Sequence, residues 1–412
     1  MEHRVAVVGI GAVTPLGNDS KTFLDNIFAN KTGIAPITHF DATETGITVA
    51  AEVKDFDPLK RIPKKISKRM DDFSRYAVYS AFEAMEMAGL EKGSYDPDDI
   101  GVIYGSGIGG LTTIQEQAIK MHDKGPKRVS PFFVPNSIIN MAAGNISINL
   151  DTRNINEAVV TACASGTNAI GDAFERIKSG KATYMITGGS EASINELGIS
   201  GFAALTALSD STDPLRASMP FDKNRSGFVM GEGAGTLVLE DYDHAKQRGA
   251  NILAEITGYG ATGDAYHLTA PRPDGSGAIK AMKEAIKESG MTEGDVDYIN
   301  AHGTATQAND SAESEGIAKL FDGVNDHLKV SSTKGQTGHA LGAAGSLEAV
   351  IMIGALQRNV MPVNVGMFDL DPEVKTTIVT DENKNSPVNF ALSNSLGFGG
   401  HNAVLAFKSV RK

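Results

Sequence analysis

Short apolar runs alternate with segments of helical periodicity along the whole 412-residue chain. This alternation is typical of α/β folds, in which helices cover a buried sheet. The apolar runs predict strands at Val5–Val8, Ile100–Tyr104, Ala158–Val160, Tyr184–Thr187, Gly235–Leu239, Tyr298–Ala301, Val330–Ser332 and Val388–Ser393. The helical periods predict helices at Phe73–Ala88, Leu111–Met121, Gly166–Lys178, Ile279–Ser289, Asp310–Leu320 and Ala343–Gln357. No proline-rich or serine-rich linker occurs, so we expect the parts of the chain to pack together.

Two segments repeat one order of elements. A strand at Glu157–Thr161 runs into a glycine-containing turn and a helix of small residues. A strand at Lys329–Ser332 likewise runs into a glycine-rich turn and the small-residue helix Ala343–Leu356. The repeat indicates a duplicated fold, although it is too weak to establish one by itself.

The single cysteine, Cys163, stands where a predicted strand meets a predicted helix. A helix N-terminus favours a thiolate, because its free N–H groups and positive dipole end stabilise negative charge. Small neighbours such as Ala162, Ala164 and Gly166 permit a sharp elbow that exposes sulfur. From these residues alone, a buried and inert cysteine is the commoner outcome.

Three further loops carry residues suited to chemistry. His302 follows an apolar strand, so it is expected at the strand's C-terminal end, where α/β active sites collect. Lys334 and His339 share a second glycine-rich loop. In Ser393–Asn402, three glycines flank Phe398, and such a turn can aim a backbone N–H at an oxyanion or swing an aromatic gate. A hairpin turn with a packed phenylalanine is the simpler alternative. The other seven histidines, such as His244, are interpreted as surface residues.

Gly105–Gly110 matches the G-x-G-x-x-G dinucleotide pattern between a predicted strand and helix. The acidic residue expected about 20 positions later at a strand end is missing, which argues against nucleotide binding. No H-E-x-x-H, C-x-x-C or P-loop pattern occurs, which argues against a catalytic metal.

Charge and hydropathy limit the partners. A net charge of −12 argues against nucleic-acid binding. No apolar run approaches the roughly 18 residues that span a bilayer, and the N-terminal run is too short for a signal peptide. A lone cysteine fits a reducing compartment. We therefore expect a soluble cytoplasmic protein without membrane insertion.

One stretch opposes the acidic balance, with six cations between Lys60 and Arg69. Spacing of four would put positions 61, 65 and 69 on one helical stripe and positions 60, 64 and 68 on its neighbour. This stretch is either a solvated helix face or a docking patch for an acidic partner.

Taken together, these residues resemble the β-ketoacyl-[acyl carrier protein] synthases, the condensing enzymes of fatty-acid synthesis. The resemblance covers nearly the whole chain and is strongest to the elongating type II branch, which Ile108 in the Gly105–Gly110 loop also fits. The motifs that carry it are Val5–Gly17, Thr161–Gly166, Pro220–Phe228, Gly231–Gly235, Ala301–Thr304, Lys334–His339 and Ser393–Gly400. It makes Cys163 a nucleophile rather than an inert residue.

The resemblance implies a thiolase-like fold with five α-β-α-β-α layers in a homodimer. Two similar halves, residues 1–250 and 251–412, would each hold a five-stranded mixed sheet. A thiolase itself would need a second catalytic cysteine, and chain-initiating synthases use Cys-His-Asn, whereas this chain offers Cys163, His302 and His339.

The implied reaction is a decarboxylative Claisen condensation. Cys163 would take the acyl chain from an acyl carrier protein, and His302 and His339 would then stabilise the enolate formed from malonyl-carrier protein. Lys334 would act electrostatically, and Phe398 would gate the two steps and supply an oxyanion N–H. No cofactor is required, because decarboxylation drives the reaction and the substrates carry phosphopantetheine.

The resemblance also implies binding positions. Those for acyl chain and pantetheine arm would be Ile108, Phe202, Thr269, Thr304, Thr306 and Gly399. Docking of the acidic carrier would use Lys64, Lys65, Lys68 and Arg69. A structural monovalent cation would be held by Asn300, Glu348, Ser393 and Asn394, unless Glu348 simply pairs with Lys334.

The chain departs from the family pattern at four positions. Gln307 and Asn309 replace proline and glycine after His302, so the path of that loop is open. Leu396 replaces a phenylalanine beside the gate, and Thr206 replaces an arginine that contacts the carrier in some relatives.

Three alternatives remain at this stage. The first is a polyketide-type ketosynthase, which normally needs a partner subunit. The second is a nucleotide-dependent oxidoreductase that uses Gly105–Gly110, and the third is a carrier-binding scaffold without catalysis.

Overall fold

The computed structural model describes residues 3–411, which form twelve strands and fourteen α-helices. The strands are β1 (Val5–Val13), β2 (Ala35–Pro36), β3 (Val49–Ala50), β4 (Ile100–Gly105), β5 (Asn156–Val159), β6 (Tyr184–Glu191), β7 (Gly233–Asp241), β8 (Ala254–Gly263), β9 (Tyr298–Asn300), β10 (Lys329–Ser331), β11 (Phe390–Gly397) and β12 (His401–Lys408). The helices are α1 (Ser20–Phe28), α2 (Lys64–Ser67), α3 (Asp72–Met87), α4 (Leu111–Lys124), α5 (Phe133–Ser137), α6 (Met141–Leu150), α7 (Ser165–Lys178), α8 (Glu196–Ala204), α9 (Pro214–Ala217), α10 (Tyr242–Gln247), α11 (Ser276–Glu288), α12 (Gln307–Phe321), α13 (Lys334–Thr337) and α14 (Ala344–Arg358).

Ten strands form one sheet in the order β10-β9-β11-β12-β8-β1-β7-β6-β4-β5. The sheet consists of two five-stranded halves that meet where β1 pairs with β8, with Val5–Val7 antiparallel to Ala254–Ile256. The five strands of each half can be numbered in chain order. From the outer edge of the sheet inwards, both halves then have the order third, second, fourth, fifth, first. The first two pairings are parallel and the next two are antiparallel in both halves. The duplication suggested by the sequence is therefore present in the sheet topology.

Helices α7 and α14 lie between the two halves and pack on both of them. On the outer faces, α3 and α6 cover the first half, and α11 and α12 cover the second. The result is the expected order of five layers, α-β-α-β-α. Because both faces of each half-sheet are covered, most of its strand residues are buried.

Strand β1 illustrates how residue choice sets this packing. Val5 and Val7 point into the central layer, whereas Ala6 and Val8 point towards α3. The glycines at positions 9 and 11 admit α3 closely, because a Cβ there would lie 2.0 Å from the carbonyl oxygens of Ala84 and Ser80.

The predicted strands and helices all occur, with ends shifted by a few residues. Strands β8 and β12 were not predicted, although they complete the second half-sheet. The single basic helix proposed for 60–69 is wrong. Pro63 interrupts it, and only Lys64–Ser67 is α-helical, after a separate 3-10 turn at Pro58–Lys60. Within residues 3–411, no helix is both long and apolar enough to cross a membrane.

Candidate active site

Cys163 lies on a tight elbow between β5 and α7. A 3-10 turn at Ala162–Ala164 precedes the helix, and Ala162 adopts a left-handed φ of 51°. Gly397 approaches this elbow so closely that a Cβ there would lie 2.7 Å from the carbonyl oxygen of Thr161. The small residues let the chain turn sharply at the sulfur, as predicted, but Cys163 is buried and not exposed as expected.

The second half repeats the elbow without a nucleophile. A 3-10 turn at Leu341–Ala343 precedes α14, and Leu341 has a φ of 47°. The residue equivalent to Cys163 is Gly342, whose missing Cβ would clash with the backbone nitrogen of Gly107 at 2.2 Å. The duplicated fold thus keeps one reactive elbow and uses the other for close packing.

Cys163, His302 and His339 converge. Sulfur and one ring nitrogen of each histidine lie within 4.8 Å of one another, and all three residues are buried. The imidazole rings meet edge to face, with centroids 5.2 Å apart. Phe228 packs edgewise on the His339 ring at 5.1 Å and so limits its rotation.

Glu313 on α12 fixes the loop that carries His302. Its carboxylate accepts the backbone N–H groups of His302 and Gly303, both at 2.8 Å. His302 therefore sits just beyond the end of β9 in a loop with satisfied backbone donors. Glu313 was not predictable from the sequence, because only the fold brings this helix against that loop.

Lys334 is buried behind the histidines rather than facing the sulfur. Its ammonium donates to the His302 carbonyl oxygen at 2.5 Å and to Glu348 Oε1. Glu348 was predicted either to hold a cation or to pair with Lys334. Its Oε1 pairs with Lys334, whereas its Oε2 has no hydrogen-bond partner among residues 3–411.

Burial controls the protonation of these groups. It lowers the pKa of His302 and of His339 well below the usual value, and the positive charge of Lys334 lowers both further. Both imidazoles are therefore neutral at neutral pH. Burial raises the pKa of the Cys163 thiol to about 11, against the opposing effects of Lys334 and of the backbone N–H groups of Phe398 and Cys163.

The backbone N–H groups of Phe398 and Cys163 lie close to the sulfur. Phe398 occupies the hairpin turn between β11 and β12, in which Gly399 and Gly400 have φ values of 87° and 78°. Its N–H and that of Cys163 are both directed to the sulfur. The turn is the hairpin that the sequence offered as the simpler alternative, and the oxyanion role of the Phe398 N–H stays a prediction.

A cavity of about 270 Å³ opens onto Cys163, His302 and His339. Its apolar wall includes Phe202, Phe228, Leu341, Leu396 and Phe398, and its polar wall includes Asp264, Thr269, Thr304, Thr306, Asn309 and Asn402. Ile108 packs in the apolar cluster around Cys163 and Phe202, beside the cavity. Gly399 also lies beside the cavity, with its N–H bound to the Leu268 carbonyl oxygen.

The G-x-G-x-x-G loop is filled by a carboxylate of the chain itself. Glu191, at the end of β6, accepts backbone N–H groups from residues 107, 108, 109 and 342 at 2.8–3.3 Å. This loop therefore cannot cradle a dinucleotide phosphate in the described conformation. Glu191 is a second functional residue that the sequence did not reveal, since its signal was only an acidic residue ending an apolar run.

The four residues predicted to hold a cation are all buried. Asn300 and Ser393 lie opposite each other on β9 and β11. Each of the four has a side-chain oxygen without a hydrogen-bond partner among residues 3–411, namely Asn300 Oδ1, Glu348 Oε2, Ser393 Oγ and Asn394 Oδ1. Buried oxygens rarely stay unpartnered, and oxygen donors suit hard cations, so this donor set fits the group.

The predicted docking residues are exposed on the surface. Lys64, Lys65 and Lys68 face solvent, and Arg69 extends over the Phe132 ring at 5.2 Å. Arg61, within the same stretch, is committed to Glu86 at 2.5 Å. Thr206 is exposed as well and borders the mouth of the cavity.

Two family models match the chain. The N-terminal domain of β-ketoacyl synthases matches residues 2–245, and their C-terminal domain matches residues 253–367. The chain belongs to the β-ketoacyl synthase family.

Two curated relatives are similar over nearly their full length. Both are called 3-oxoacyl-[acyl-carrier-protein] synthase 2. The protein of Staphylococcus aureus (strain COL) is 48% identical over 405 residues, or 98% of each chain. The protein of Synechocystis sp. is 47% identical over 408 residues, or 99% of this β-ketoacyl synthase and 98% of the relative.

Solved ketosynthases share the fold. The ishigamide ketosynthase/chain length factor and the type II polyketide ketosynthase AntDE, solved with the acyl carrier protein AntF, each have a TM-score of 0.92 at 30% identity, covering 100% of both chains. A β-ketoacyl synthase from Burkholderia phymatum has a TM-score of 0.90 at 32% identity, covering 99% of this chain and 100% of that one. The thiolase-like fold expected from the sequence is thereby confirmed.

Proposed function

We propose that this β-ketoacyl synthase elongates acyl chains by two carbons through decarboxylative condensation of malonyl-carrier protein with an acyl group held on Cys163. The convergence of one thiol and two neutral imidazoles within 4.8 Å, beside an apolar cavity, carries the proposal. A thiol can hold an acyl group as a thioester, and two neutral N–H donors can stabilise the negative oxygen of an enolate. The assignment agrees with the names of the two curated relatives.

The first step is acyl transfer. Sulfur attacks the thioester carbonyl carbon as its proton passes to a neutral imidazole, and the carrier's pantetheine sulfur leaves and takes up a proton. The N–H groups of Cys163 and Phe398 stabilise the tetrahedral oxyanion. Loss of one such donor costs about 3–4 kcal/mol of transition-state stabilisation in comparable sites.

The second step forms the new carbon–carbon bond. The malonyl carboxylate leaves as CO₂, and its bonding electrons form an enolate whose oxygen accepts N–H bonds from His302 and His339. The enolate carbon attacks the acyl carbon on sulfur, and Cys163 departs as the leaving group. Burial, together with the positive charge of Lys334, lowers the pKa of both imidazoles, so that they donate without carrying charge.

The remaining predicted residues would bind the substrate. Ile108 and Phe202 would border the acyl chain, and Thr269, Thr304, Thr306 and Gly399 would border the pantetheine arm. Asn300, Glu348, Ser393 and Asn394 would hold a monovalent cation, which would compensate the negative charge of Glu348 and supply no chemistry. No cofactor takes part in either step.

The proposal extends to partners. An acidic acyl carrier protein would dock on four exposed cationic residues, Lys64, Lys65, Lys68 and Arg69. The chain would work as a homodimer in the cytoplasm. The halves 1–250 and 251–412 would divide the labour, the first carrying the nucleophile and the second both histidines and Lys334.

The test is intact-mass analysis after incubation with an acyl-carrier thioester, followed by addition of malonyl-carrier protein. We expect one acyl adduct on Cys163 that disappears as the elongated product forms. The Cys163→Ala variant should form neither adduct nor product. Condensation by that variant would disprove the proposal, and absence of any adduct on the parent chain would favour the scaffold alternative.

A polyketide-type ketosynthase remains the second candidate, because a solved type II polyketide ketosynthase and the ishigamide ketosynthase/chain length factor align with the full chain. Elongation of a saturated acyl-carrier substrate by the purified chain alone would argue against it. Activity that appears only when a second, homologous subunit is added would favour it.

A further inference from the structure

Asn309 places an amide on the polar wall of the active-site cavity. It lies in the first turn of α12, is only 7% exposed, and borders the cavity together with Thr304, Thr306 and Ala308. The hydroxyl oxygens of the two threonines lie 3.0 Å apart on the same wall. A buried amide in such a position must be oriented by its surroundings.

Asp310 sets that orientation. Asn309 Nδ2 donates to Asp310 Oδ1 at 3.1 Å, and the same carboxylate accepts the backbone N–H groups of Ala305 at 3.2 Å and Phe221 at 3.0 Å. In the flipped orientation, Asn309 Oδ1 would face Asp310 Oδ1, and two acceptors would lie against each other. The hydrogen-bond network therefore assigns which atom of the amide is nitrogen and which is oxygen. Within residues 3–411, no group donates to Asn309 Oδ1, which leaves this oxygen as an acceptor for a molecule in the cavity.

Gln307, two residues earlier, has a different role. Its Nε2 donates to the Arg225 carbonyl oxygen at 2.9 Å, and Arg225 in turn donates to the Gln307 carbonyl oxygen at 3.3 Å. The Gln307 side chain is therefore committed to the protein. Of the two residues that depart from the family pattern here, Gln307 and Asn309, only Asn309 has a side-chain oxygen available to the substrate.

We propose that Asn309 Oδ1 accepts a hydrogen bond from an amide N–H of the pantetheine arm, which makes Asn309 a substrate-binding residue of this chain. The inference rests on the proposed function, which brings such an arm through this cavity. The arm carries two secondary amides, and threonine hydroxyls can satisfy their carbonyl oxygens. An N–H of the arm needs an acceptor, and Asn309 supplies one.

The experiment is a cycle of enzyme and substrate changes. Pantetheine thioesters with each amide N–H in turn replaced by N-methyl or by an ester oxygen are compared with the parent thioester, using the full chain and Asn309→Ala. A neutral hydrogen bond corresponds to roughly a three- to tenfold rise in KM. We expect that rise when either partner is removed, and little further rise when both are removed.

Two further variants separate hydrogen bonding from filling of space. Asn309→Leu retains most of the volume and should behave like Asn309→Ala. Gln307→Ala is the matched control on the same helical turn, and its effect on KM should be equal for all thioesters. An Asn309→Ala effect that is equal for parent and N–H-lacking substrates would overturn the inference, as would wild-type KM in Asn309→Leu.

Acyl adduct formation on Cys163 distinguishes failure of the role of Asn309 from failure of the proposed function. If the adduct forms and no coupling to Asn309 appears, the inference fails and the proposed function stands. If no thioester acylates Cys163, the proposed function fails, and the inference fails with it.

Discussion

Opposing influences act on the Cys163 thiol. Burial raises its pKa to about 11, whereas Lys334 and the N–H groups of Phe398 and Cys163 favour the thiolate. The start of α7 acts in the same direction, since a helix N-terminus stabilises negative charge. The resting site therefore holds a protonated thiol, and the substrate's arrival has to accompany its deprotonation.

We predict that the rate of Cys163 alkylation by iodoacetamide rises throughout pH 7–10 without a plateau. Only the thiolate reacts, so the rate should grow about tenfold per pH unit below the pKa. In Lys334→Met the rate should fall, because loss of the positive charge raises the thiol pKa further. Lys283→Met is the surface control. A plateau below pH 8 would show that the resting thiol is already ionised.

The two active-site histidines should remain neutral below the ordinary pKa of a histidine. We predict that the ring signals of His302 and His339 do not shift between pH 8 and 5.5 in NMR spectra of histidine-labelled protein. In Lys334→Met their pKa values should rise, because a positive charge that opposes protonation is gone. Assignment uses His302→Asn and His339→Asn. Titration of either ring near pH 6.5 in the parent chain would contradict the assigned neutrality.

The same shifts affect stability with a defined sign. Below about pH 6.5 these histidines take up protons in the unfolded chain but not in the native one, so the free energy of unfolding falls as pH falls. Each contributes up to about 1.4 kcal/mol per pH unit. Buried carboxylates with raised pKa values act oppositely, so the comparison is with His302→Asn/His339→Asn. That variant should lose less stability from pH 6.5 to 5.5 than the parent chain.

The reactive residues were accessible from the sequence because each follows a strand in a loop of small or polar residues. Cys163, His302 and His339 lie where their loops placed them. Glu191 and Glu313 were not accessible, because their acceptor role depends on loops that are distant in the chain. Hydrogen bonds made across elements leave no local pattern.

At the scale of elements, Glu191 joins the Gly105–Gly110 loop to the second elbow of the duplicated fold. Its carboxylate binds the loop after β4 and the N–H of Gly342 at the second elbow. One carboxylate thus fixes the loop that carries Ile108 and the turn that opens α14. The arrangement resembles an anion-binding nest whose anion is part of the chain.

We predict that Glu191→Gln lowers the free energy of unfolding by about 2 kcal/mol or more, because an amide NH₂ would face backbone donors and leave one unsatisfied. Cys163 alkylation should become faster, since the Glu191 charge raises the thiol pKa. Chemical denaturation and iodoacetamide kinetics measure the two effects. The exposed Glu91→Gln is the control, and unchanged stability in Glu191→Gln would mean that the nest does not hold the loop.

Strands were predicted well where apolar residues run continuously and poorly where they do not. β8 reads Ala-Glu-Ile-Thr-Gly-Tyr-Gly-Ala-Thr-Gly, in which glycines and polar residues hide the pattern. Those glycines have a packing role, because Cβ atoms at 258 and 260 would lie 2.1 and 2.0 Å from carbonyl oxygens of α11. The glycines that permit this close helix–sheet contact therefore interrupt the apolar pattern from which the strand would have been predicted.

At the scale of the whole molecule, charge is distributed unevenly. The chain carries −12 overall, yet Lys64, Lys65 and Lys68 are exposed together. Arg69 also contacts Phe132, so its replacement would disturb packing as well as charge. The lysines are thus the better test of docking.

We predict that Lys64→Glu/Lys65→Glu raises KM for acyl-carrier protein at least tenfold while leaving KM for a free pantetheine thioester nearly unchanged. The effect should shrink at high salt, because exposed charges are screened. Lys181→Glu/Lys283→Glu carries the same change in net charge at distant exposed sites and serves as the control. Equal losses in both double variants would mean that net charge, not a docking patch, is responsible.

The last prediction concerns assembly. β5 is an edge strand of the ten-stranded sheet. Val160 directly after it is 51% exposed, and Ile148 on the preceding helix α6 is 70% exposed. An exposed edge strand with apolar neighbours invites pairing with another chain. Two-fold pairing of β5 with its copy would continue the sheet across a dimer and shield both side chains.

Sedimentation equilibrium of Val160→Arg tests this interface. A charge buried at the interface without a partner should shift the protein towards monomers, since such burial costs several kcal/mol. Val324→Arg, at a residue of 58% exposure on the loop after α12, should leave the assembly unchanged. Because Cys163 follows β5 by four residues, the monomeric variant should also lose activity. A dimer that survives Val160→Arg with full activity would place the interface elsewhere.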